Sequence, residues 1–308
     1  MKRYEFNYSK DFTCIANKCK HNCCIGWQID IDKKTFSFYQ SLKDKDARFN
    51  ENSFLGQTFK LNDSLRCPFL DGDNLCHIIK NYGEKSLCKT CKTHPRFKNF
   101  FSGVTETGLG IYCEHACKII LSSKEKMKLV LVKDDNKPNT LSTFERKSLR
   151  FRKKVITILQ NRKISIADRL FLLNRTCGID LDKKSLAEWV KVFCSLEKLS
   201  VNDSTFNDFP KVERFAKIEQ GFELEFEQLL CYLTFRHLSR AIDMLDLRVR
   251  LAFIILCFNM INHIFSLNEK KDLDTLVEVC RFFSSEIETN DNNIFTLLNE
   301  IENLVSFI

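Results

Sequence analysis

Cysteines are the side chains best suited to chemistry in this sequence, and they crowd its first third. Ten of the fifteen cysteines lie between residues 14 and 117, in groups at 14–24, 67–76, 88–91 and 113–117. Thiols grouped in this way either pair as disulfides or bind metal, and the redox compartment of the protein decides between the two.

The opening residues bear on that choice. The first twelve residues, MKRYEFNYSKDF, begin with charge but contain no apolar run of the kind that forms a signal peptide. We therefore expect a cytoplasmic protein whose thiols stay reduced. The cysteine groups then predict a metal site, either an iron–sulfur cluster or structural zinc, and disulfides are the alternative.

The spacing of the cysteines indicates how they could share a metal. Cys88 and Cys91 form a Cys-x2-Cys pair, the spacing at which two thiolates chelate one iron or zinc ion. A turn-forming sequence, Asp-Gly-Asp-Asn at 71–74, lies between Cys67 and Cys76. These two thiols are therefore predicted to face each other on the arms of a hairpin.

The adjacent pair Cys23 and Cys24 suggests more than one metal centre, because successive side chains of an extended chain point to opposite sides. Histidines also fall within the cysteine region. Each could bind metal or hydrogen-bond to sulfur, or equally lie on the surface. They are His21, His77, His94 and His115.

Several known cofactor motifs are absent from the sequence. The Cys-x3-Cys-x2-Cys motif of radical adenosylmethionine enzymes fails, because Cys19-x3-Cys23 is followed at once by Cys24. A ferredoxin spacing is met only by Cys88 and Cys91. Residues 108–110 lack the third glycine of a dinucleotide-binding turn, and no P-loop, His-Glu-x-x-His or Gly-x-Ser-x-Gly motif occurs.

The elements that must position the cysteines change in character after Cys117. Before it, the pattern predicts a short strand or extended arm at 4–13, a helix capped by Asp32, and a hairpin at 54–61. Lys137-Pro138 marks a loop, beyond which glycine and proline are scarce and helical spacing dominates. The predicted helices cover 33–39, 143–162, 164–175, 185–199, 213–243, 247–265, 272–288 and 294–305.

This pattern predicts a mainly α fold, in which an irregular Cys-rich metal-binding N-terminal region precedes an all-α helical bundle. The predicted domains are 1–120 for the Cys-rich region, 121–141 for a basic linker and 142–308 for the helical domain. We expect the Cys-rich region to have little core of its own, so that metal supplies much of its folding free energy. The remaining cysteines lie among apolar helical residues and are predicted to be small buried side chains: Cys177, Cys194, Cys231, Cys257 and Cys280.

The net charge of +8 is unevenly distributed. Residues 121–163 carry 13 Lys/Arg and 4 Asp/Glu, whereas residues 164–308 carry 16 and 23. The basic middle could meet a polyanion, but we interpret it as the solvated face of a helix and expect no nucleic-acid partner. The most apolar run, at 251–258, is far shorter than a membrane span, so we expect a buried helix and no membrane association.

Specific motifs follow one another in a fixed order along residues 14–114. They are Cys14-x4-Cys19-x3-Cys23-Cys24-x-Gly26-Trp27, Cys67-Pro68-Phe69-Leu70, Leu75-Cys76, Leu87-Cys88-x-Thr90-Cys91-x2-His94-Pro95-Arg96 and Glu106-x2-Leu109-x3-Cys113-Glu114. This order resembles the bacterial flagellin lysine N-methylases, within the wider group of proteins with a Cys-rich zinc- or iron-chelating region. The resemblance covers about residues 4–120, and the helical remainder only by its general character.

The resemblance implies transfer of methyl groups to lysines of flagellin, with S-adenosylmethionine as the methyl donor. It also implies an iron–sulfur cluster of the 4Fe-4S type as cofactor, and zinc is the alternative metal. It implies nine metal-binding residues: Cys14, Cys19, Cys23, Cys24, Cys67, Cys76, Cys88, Cys91 and Cys113. Cys117 is left out, because Cys113-Glu114-His115-Ala116 stands where the family has Cys-Pro-Glu.

The catalytic residues and the oligomeric state are not identified by the sequence. A lysine amine must lose a proton before it attacks a methyl group, so a base or a desolvating pocket is needed. Glu106 and His94 are candidates for this base by location. The contrasting hypothesis is a non-enzymatic iron- or zinc-binding protein, acting as a metal chaperone or redox sensor.

Overall fold

A computed structural model of the chain describes residues 1–136, 140–198 and 214–305. The fold is mainly α, as predicted. In chain order its elements are β1 (Lys2–Phe6), α1 (Lys33–Gln40), β2 (Phe54–Leu55), β3 (Thr58–Phe59), α2 (His77–Tyr82), α3 (Lys89–Thr93), β4 (Arg96–Phe101), β5 (Val104–Leu109), α4 (Glu114–Leu121), β6 (Leu129–Asp134), α5 (Thr143–Leu159), α6 (Ile166–Cys177), α7 (Leu186–Ser195), α8 (Glu223–His237), α9 (Met244–Leu267), α10 (Leu273–Ile287) and α11 (Asp291–Glu302).

The chain forms two compact units. We call Thr13–Arg96 with Cys113–His115 the cysteine unit, and Met1–Phe12, Phe97–Tyr112 and Ala116–Ile308 the helical unit. This division is not the predicted one at residue 120, because β1, β4 and β5 share a sheet with β6, which lies inside the predicted linker. The loop predicted at Lys137-Pro138 lies outside the described residues, as do the adjoining ends of two predicted helices at 199 and 213.

The cysteine unit has a hydrophobic core of eleven buried residues, so the expectation that it has little core of its own is wrong. Tyr39 is fully buried at the centre of stacked and tilted rings that include Phe49, Phe54 and Phe69. Its hydroxyl donates to the Ser86 carbonyl at 2.8 Å, which satisfies the one polar atom of the side chain. Burial of several aromatic rings is a large apolar contribution for a unit of this size.

Local signals account for the elements around this core. Asp32 accepts a hydrogen bond from the Thr35 amide and so begins α1, as predicted. The predicted hairpin at 54–61 is confirmed as the antiparallel pair β2–β3. The turn at 71–74 closes with an isolated antiparallel bridge between Leu70 and Cys76, and a second bridge joins Ile25 to Arg66. Much of the unit is therefore irregular chain fixed by single bridges.

The helical unit begins with a four-stranded mixed sheet in the order β4-β5-β1-β6. Strand β1 pairs parallel with β5 on one side and antiparallel with β6 on the other. The first strand of the chain therefore lies between two strands that come more than about 100 residues later in the sequence. The predicted strand at 4–13 corresponds to β1 but is shifted towards the N-terminus.

Most helices of this unit start at polar caps, although α8 follows Phe222, which makes no side-chain cap. Ser142 with Glu145, Ser165 with Asp168, and Ser185 with Glu188 form capping boxes, in which each partner satisfies a backbone amide of the first turn. Helix α9 lies at the centre and packs against α6, α8, α10 and α11. Its middle is apolar on every side because neighbours cover it all round, as predicted for 251–258.

Neither α9, at 24 residues, nor any other helix in the described ranges qualifies as a membrane span. The basic residues of α5 are exposed, as expected for a solvated face: Arg146, Lys147, Arg150, Lys153 and Lys154. Arg152 of the same helix is the exception and is buried.

Candidate metal centre

The cysteine unit contains all nine of the predicted metal-binding cysteines. Cys117 belongs to the helical unit, where it is fully buried and its thiol donates to the Val277 carbonyl at 3.7 Å. Of the cysteines predicted to be buried in helices, Cys194 is partly exposed and the others are buried.

Five of the nine pack on the aromatic core, and we call them the inner group: Cys24, Cys67, Cys76, Cys88 and Cys91. Backbone structure fixes their positions. The Cys67 amide donates to the Cys24 carbonyl at 2.8 Å, while Cys76 and Cys88 stand at the N-terminal caps of α2 and α3. Helix caps and a short bridge therefore bring together thiols that lie up to 67 positions apart in sequence.

The two thiols of the Cys-x2-Cys pair contact each other directly. The hydrogen bond between the two thiols lowers the pKa of Cys88 to about 7 and raises that of Cys91. Ionisation of one thiol of the pair is thus favoured at the expense of the other. Burial raises the pKa of nearby Cys67 to about 12, and the charges of Cys76 and Cys88 add to the effect.

The other four cysteines form the outer group: Cys14, Cys19, Cys23 and Cys113. Burial raises the pKa of Cys14, and neighbouring Cys23 and Cys113 raise it further. Burial also raises the pKa of Cys19 to about 12, with Glu114 as the closest charge. The Cys19 thiol donates to Glu114 Oε2 at 3.4 Å and to the His21 carbonyl at 3.3 Å.

Cys23 and Cys24 connect the two groups. A hydrogen bond with Cys24 is the largest cause of the raised pKa of Cys23, ahead of burial. Cys23 interacts electrostatically with Cys14 of the outer group and with Cys67 of the inner group. The two thiols of this adjacent pair contact each other and do not point to opposite sides, so the separate centres suggested for them stay a prediction.

The donor types fit a thiolate-bound metal, but the geometry is not that of a closed site. Within the described ranges, no three Cys, His, Asp or Glu side chains are arranged so that they could hold a metal ion. Thiol sulfur is nonetheless the ligand that zinc and iron–sulfur clusters take. Burial raises the pKa of most of these thiols, and a cation beside them is what would keep them deprotonated.

The histidines of the region have distinct surroundings. His94 lies within hydrogen-bond reach of the Cys23 thiol, and its ring meets Trp27 edge-on at 5.4 Å. Trp27 in turn donates to the Cys23 carbonyl at 2.7 Å, so both rings hold the Cys23 backbone and thiol. His77 is engaged elsewhere, in a hydrogen bond between its Nε2 and Asp46 Oδ2 at 2.7 Å.

Glu106 does not lie with the cysteines. It is on β5 in the helical unit, where Arg152 holds both carboxylate oxygens at 2.7 and 2.5 Å and the pair is almost completely buried. Asn99 donates to the same carboxylate at 3.3 Å. A carboxylate fixed in this way supports the fold and is not placed to accept a proton from a protein substrate.

Sequence reasoning missed Glu114, which contacts the outer group through its side chain. Its only sequence signal is its position directly after Cys113. The aromatic core of the cysteine unit was also missed, although Tyr39, Phe49, Phe54, Phe59 and Phe69 are visible in the sequence. Their positions fit no helical or strand period, because they come from loops and short elements.

Comparison with known proteins gives three similar chains. The lysine-N-methylases of Salmonella typhimurium and Salmonella choleraesuis are each 33% identical over 129 residues, which is 38% of this chain and 32% of theirs. The flagellar biosynthetic protein FliU of Salmonella muenchen is 33% identical over 129 residues, which is 76% of its length. The match thus spans about a third of each methylase. No family model matches the chain, and no solved structure does.

Proposed function

The chain belongs to the family of the lysine-N-methylases and FliU, and on that basis we propose that it is a protein-lysine N-methyltransferase acting on flagellin. The observation that carries the proposal is the match at 33% identity to proteins named for lysine methylation and for the flagellum, which includes 76% of FliU. S-adenosylmethionine is the proposed methyl donor, because its sulfonium carries a methyl group that an amine can attack, with a neutral thioether as the leaving group.

The proposed reaction has a simple balance of bonds. The lone pair of a neutral lysine amine attacks the methyl carbon, the carbon–sulfur bond breaks, and the sulfonium leaves as a neutral thioether. The amine, whose pKa is ordinarily about 10.4, must give up one proton for each methyl group it gains. The product keeps its positive charge and gains apolar area, so methylation alters the surface of flagellin more than its charge.

We further propose that the nine cysteines of the cysteine unit hold an iron–sulfur cofactor. The support is their gathering into inner and outer groups within one unit, and the direct hydrogen bond between the thiols of Cys88 and Cys91. The cofactor would supply a bound cluster that keeps these thiols deprotonated and orders the loops that carry them. The same donors accept zinc, so the metal itself must be measured.

Metal analysis provides the first test. Protein purified without oxygen should be brown and contain iron and acid-labile sulfide. The double variant Cys88→Ser/Cys91→Ser should lose most of both, whereas Cys231→Ser, the matched change at a buried cysteine of α8, should keep them. A colourless wild-type protein with stoichiometric zinc alone would exclude the iron–sulfur proposal.

Mass spectrometry of flagellin provides the second test. Flagellin from the same organism, co-expressed with the wild-type protein or the Cys231→Ser variant, should gain whole methyl increments on lysines. Flagellin co-expressed with the Cys88→Ser/Cys91→Ser variant should stay unmodified. Unmodified flagellin in the presence of fully metallated wild-type protein and donor would instead favour a non-enzymatic metal-binding protein.

A further inference from the structure

The segment Cys113–His115 is the part of the chain after residue 96 that belongs to the cysteine unit. The chain leaves that unit at Arg96, forms most of β4 and all of β5 in the helical unit, and returns for three residues. This return brings Cys113 beside Cys14 and Cys19, whose pKa values burial raises and the Cys113 thiol raises further. Something in the segment must hold it there.

The side chain of Glu114 makes the contacts that can do so. Its Oε2 atom accepts hydrogen bonds from the Lys20 amide at 2.8 Å and the His21 amide at 3.3 Å. The Cys19 thiol also lies 3.4 Å from this atom, but only the two amide bonds persist when the thiol loses its proton to bind metal. Both amides lie on one loop that runs from Cys19 towards Cys23. A carboxylate that accepts backbone amides forms charge-assisted bonds, which are stronger than neutral ones.

We propose that Glu114 is a positioning residue for the outer cysteine group: its carboxylate fastens the Cys19–Cys23 loop to the Cys113 segment, so that thiols 94 positions apart in sequence are presented together. This inference rests on the proposed function for its metal, but not for its hydrogen bonds. The carboxylate acts through the loop and does not need to touch metal or substrate.

Length and charge explain why glutamate suits the position. Glu114 opens α4, so its backbone is fixed by a helix while its side chain reaches across to the loop. Glutamine has the same length and retains an acceptor oxygen but not the charge. Alanine removes the acceptor entirely and leaves the two amides to water. The conservative variant Glu114→Gln should therefore rescue much of what Glu114→Ala loses.

Hydrogen exchange of the full-length protein tests the contact without metal analysis, donor or flagellin. In Glu114→Ala the amides of Lys20 and His21 should exchange roughly tenfold faster or more than in wild type, and in Glu114→Gln by a smaller factor. Exchange in α1 is the internal reference. Acceleration confined to the loop supports the proposal, whereas equal acceleration in α1 would overturn it by making Glu114 a general residue of the fold.

The matched control is Glu84→Ala. Glu84 is an exposed carboxylate of the same unit that contributes to the raised pKa of Cys14, after burial and the neighbouring thiols. The control removes a negative charge near the outer group without touching the loop. It should leave both amides and the metal content unchanged. An effect as large as that of Glu114→Ala would overturn the proposal, because charge alone would then be responsible.

Metal content gives the second readout. Anaerobically purified Glu114→Ala should lose at least about half of the iron and sulfide per chain and show an altered absorption or paramagnetic spectrum, and Glu114→Gln should recover them. Wild-type metal content and spectrum in Glu114→Ala would overturn the positioning role. If the loop responds as expected but flagellin is never methylated by any variant, the contact stands and the proposed activity falls.

Discussion

Replacing Arg152 by methionine should destabilise the helical unit by about 3–5 kcal/mol, because it leaves a buried carboxylate without its counter-charge. The side chains of Arg152 and Glu106 are only 7% and 3% exposed and are joined by two hydrogen bonds. Without the guanidinium, Glu106 keeps one side-chain donor, Asn99 at 3.3 Å. Methionine fills a similar volume, so the loss is mainly electrostatic and not a cavity effect.

Replacing the other partner, in Glu106→Gln, should lower the free energy of unfolding by less, about 1.5–3 kcal/mol, which is the usual value of hydrogen bonds to a charged group. In Glu106→Gln the arginine retains Ser239 Oγ at 2.5 Å and lies over the Phe235 ring at 4.8 Å. Both contacts accommodate a cation. Removing both charges together, as Glu106→Leu with Arg152→Met, should cost less than Arg152→Met alone, since no unpaired charge then remains.

Thermal unfolding with urea unfolding as a check would measure these differences. A loss of about 3–5 kcal/mol corresponds to a fall of roughly 6–20 °C in Tm at about 2–4 °C per kcal/mol. Glu106→Gln should keep methyl transfer when assayed well below its Tm. A Glu106→Gln protein of wild-type stability that has lost transfer would refute this reasoning and make Glu106 the base.

Two further predictions concern pH and metal removal. Burial lowers the pKa of His237 from its ordinary 6.5, although a hydrogen bond with Glu288 opposes this. For Glu288, burial acts to raise the pKa, but contacts with His237, Arg236 and Ser284 outweigh it and lower the pKa from its ordinary 4.5. When the folded-state pKa is lowered, the unfolded chain binds more protons than the folded chain. The urea midpoint of the helical unit should therefore fall as the pH drops below about 6.5, where His237 of the unfolded chain takes up a proton, and fall further near pH 4.5, where Glu288 does. The variant His237→Gln should lose the decrease near pH 6.5, and a wild-type midpoint that does not change with pH would contradict the prediction. Adding an iron chelator should accelerate hydrogen exchange at residues 14–24 and 88–96. Exchange should stay slow in α1, because the aromatic core remains, and in the helices beyond residue 140. Loss of protection in α9 would show instead that the two units unfold together.

The helices were predictable because their signals are local. The starts of α1, α5 and α7 follow from Asp32, Ser142 and Ser185, each a side chain that caps the amides three residues on. The long apolar run of α9 needs only its own composition to be read as a buried helix. Signals of this kind depend on neighbours within one or two turns, and the folded chain preserves them.

The sheet was predictable only in its first strand. Parallel pairing of β1 with β5 joins Lys2 to Val104, and no feature near either residue specifies that partner. Strand β6 is exposed along most of its length and sits in a basic segment, so its composition indicates a linker rather than a strand. Pairing across a hundred residues is a property of the whole fold, which short-range patterns do not contain.

The site was predictable as a set of cysteines but not as an arrangement. Spacing picks out Cys88 and Cys91, and the turn at 71–74 relates Cys67 to Cys76, yet neither places these pairs on a shared aromatic core. Glu114 ends one of the motifs, but the motif does not reveal its role, because that role depends on backbone amides that lie 93 and 94 residues away.

The two units differ in whether protein groups alone balance their ionisable side chains. In the helical unit, the buried carboxylate of Glu227 is held by Arg162 and Arg169, at 2.8 and 3.1 Å in their closest contacts. In the cysteine unit, by contrast, burial raises the pKa of Cys14, Cys67 and Cys76, and neighbouring thiols raise each of these pKa values further. A bound cation would lower these thiol pKa values in the cysteine unit, whereas the ion pairs of Glu227 in the helical unit do not depend on a metal. Loss of metal and loss of the helical fold should therefore be separable, which lets a metal-free protein with intact helices report whether the cysteines serve methyl transfer or only structure.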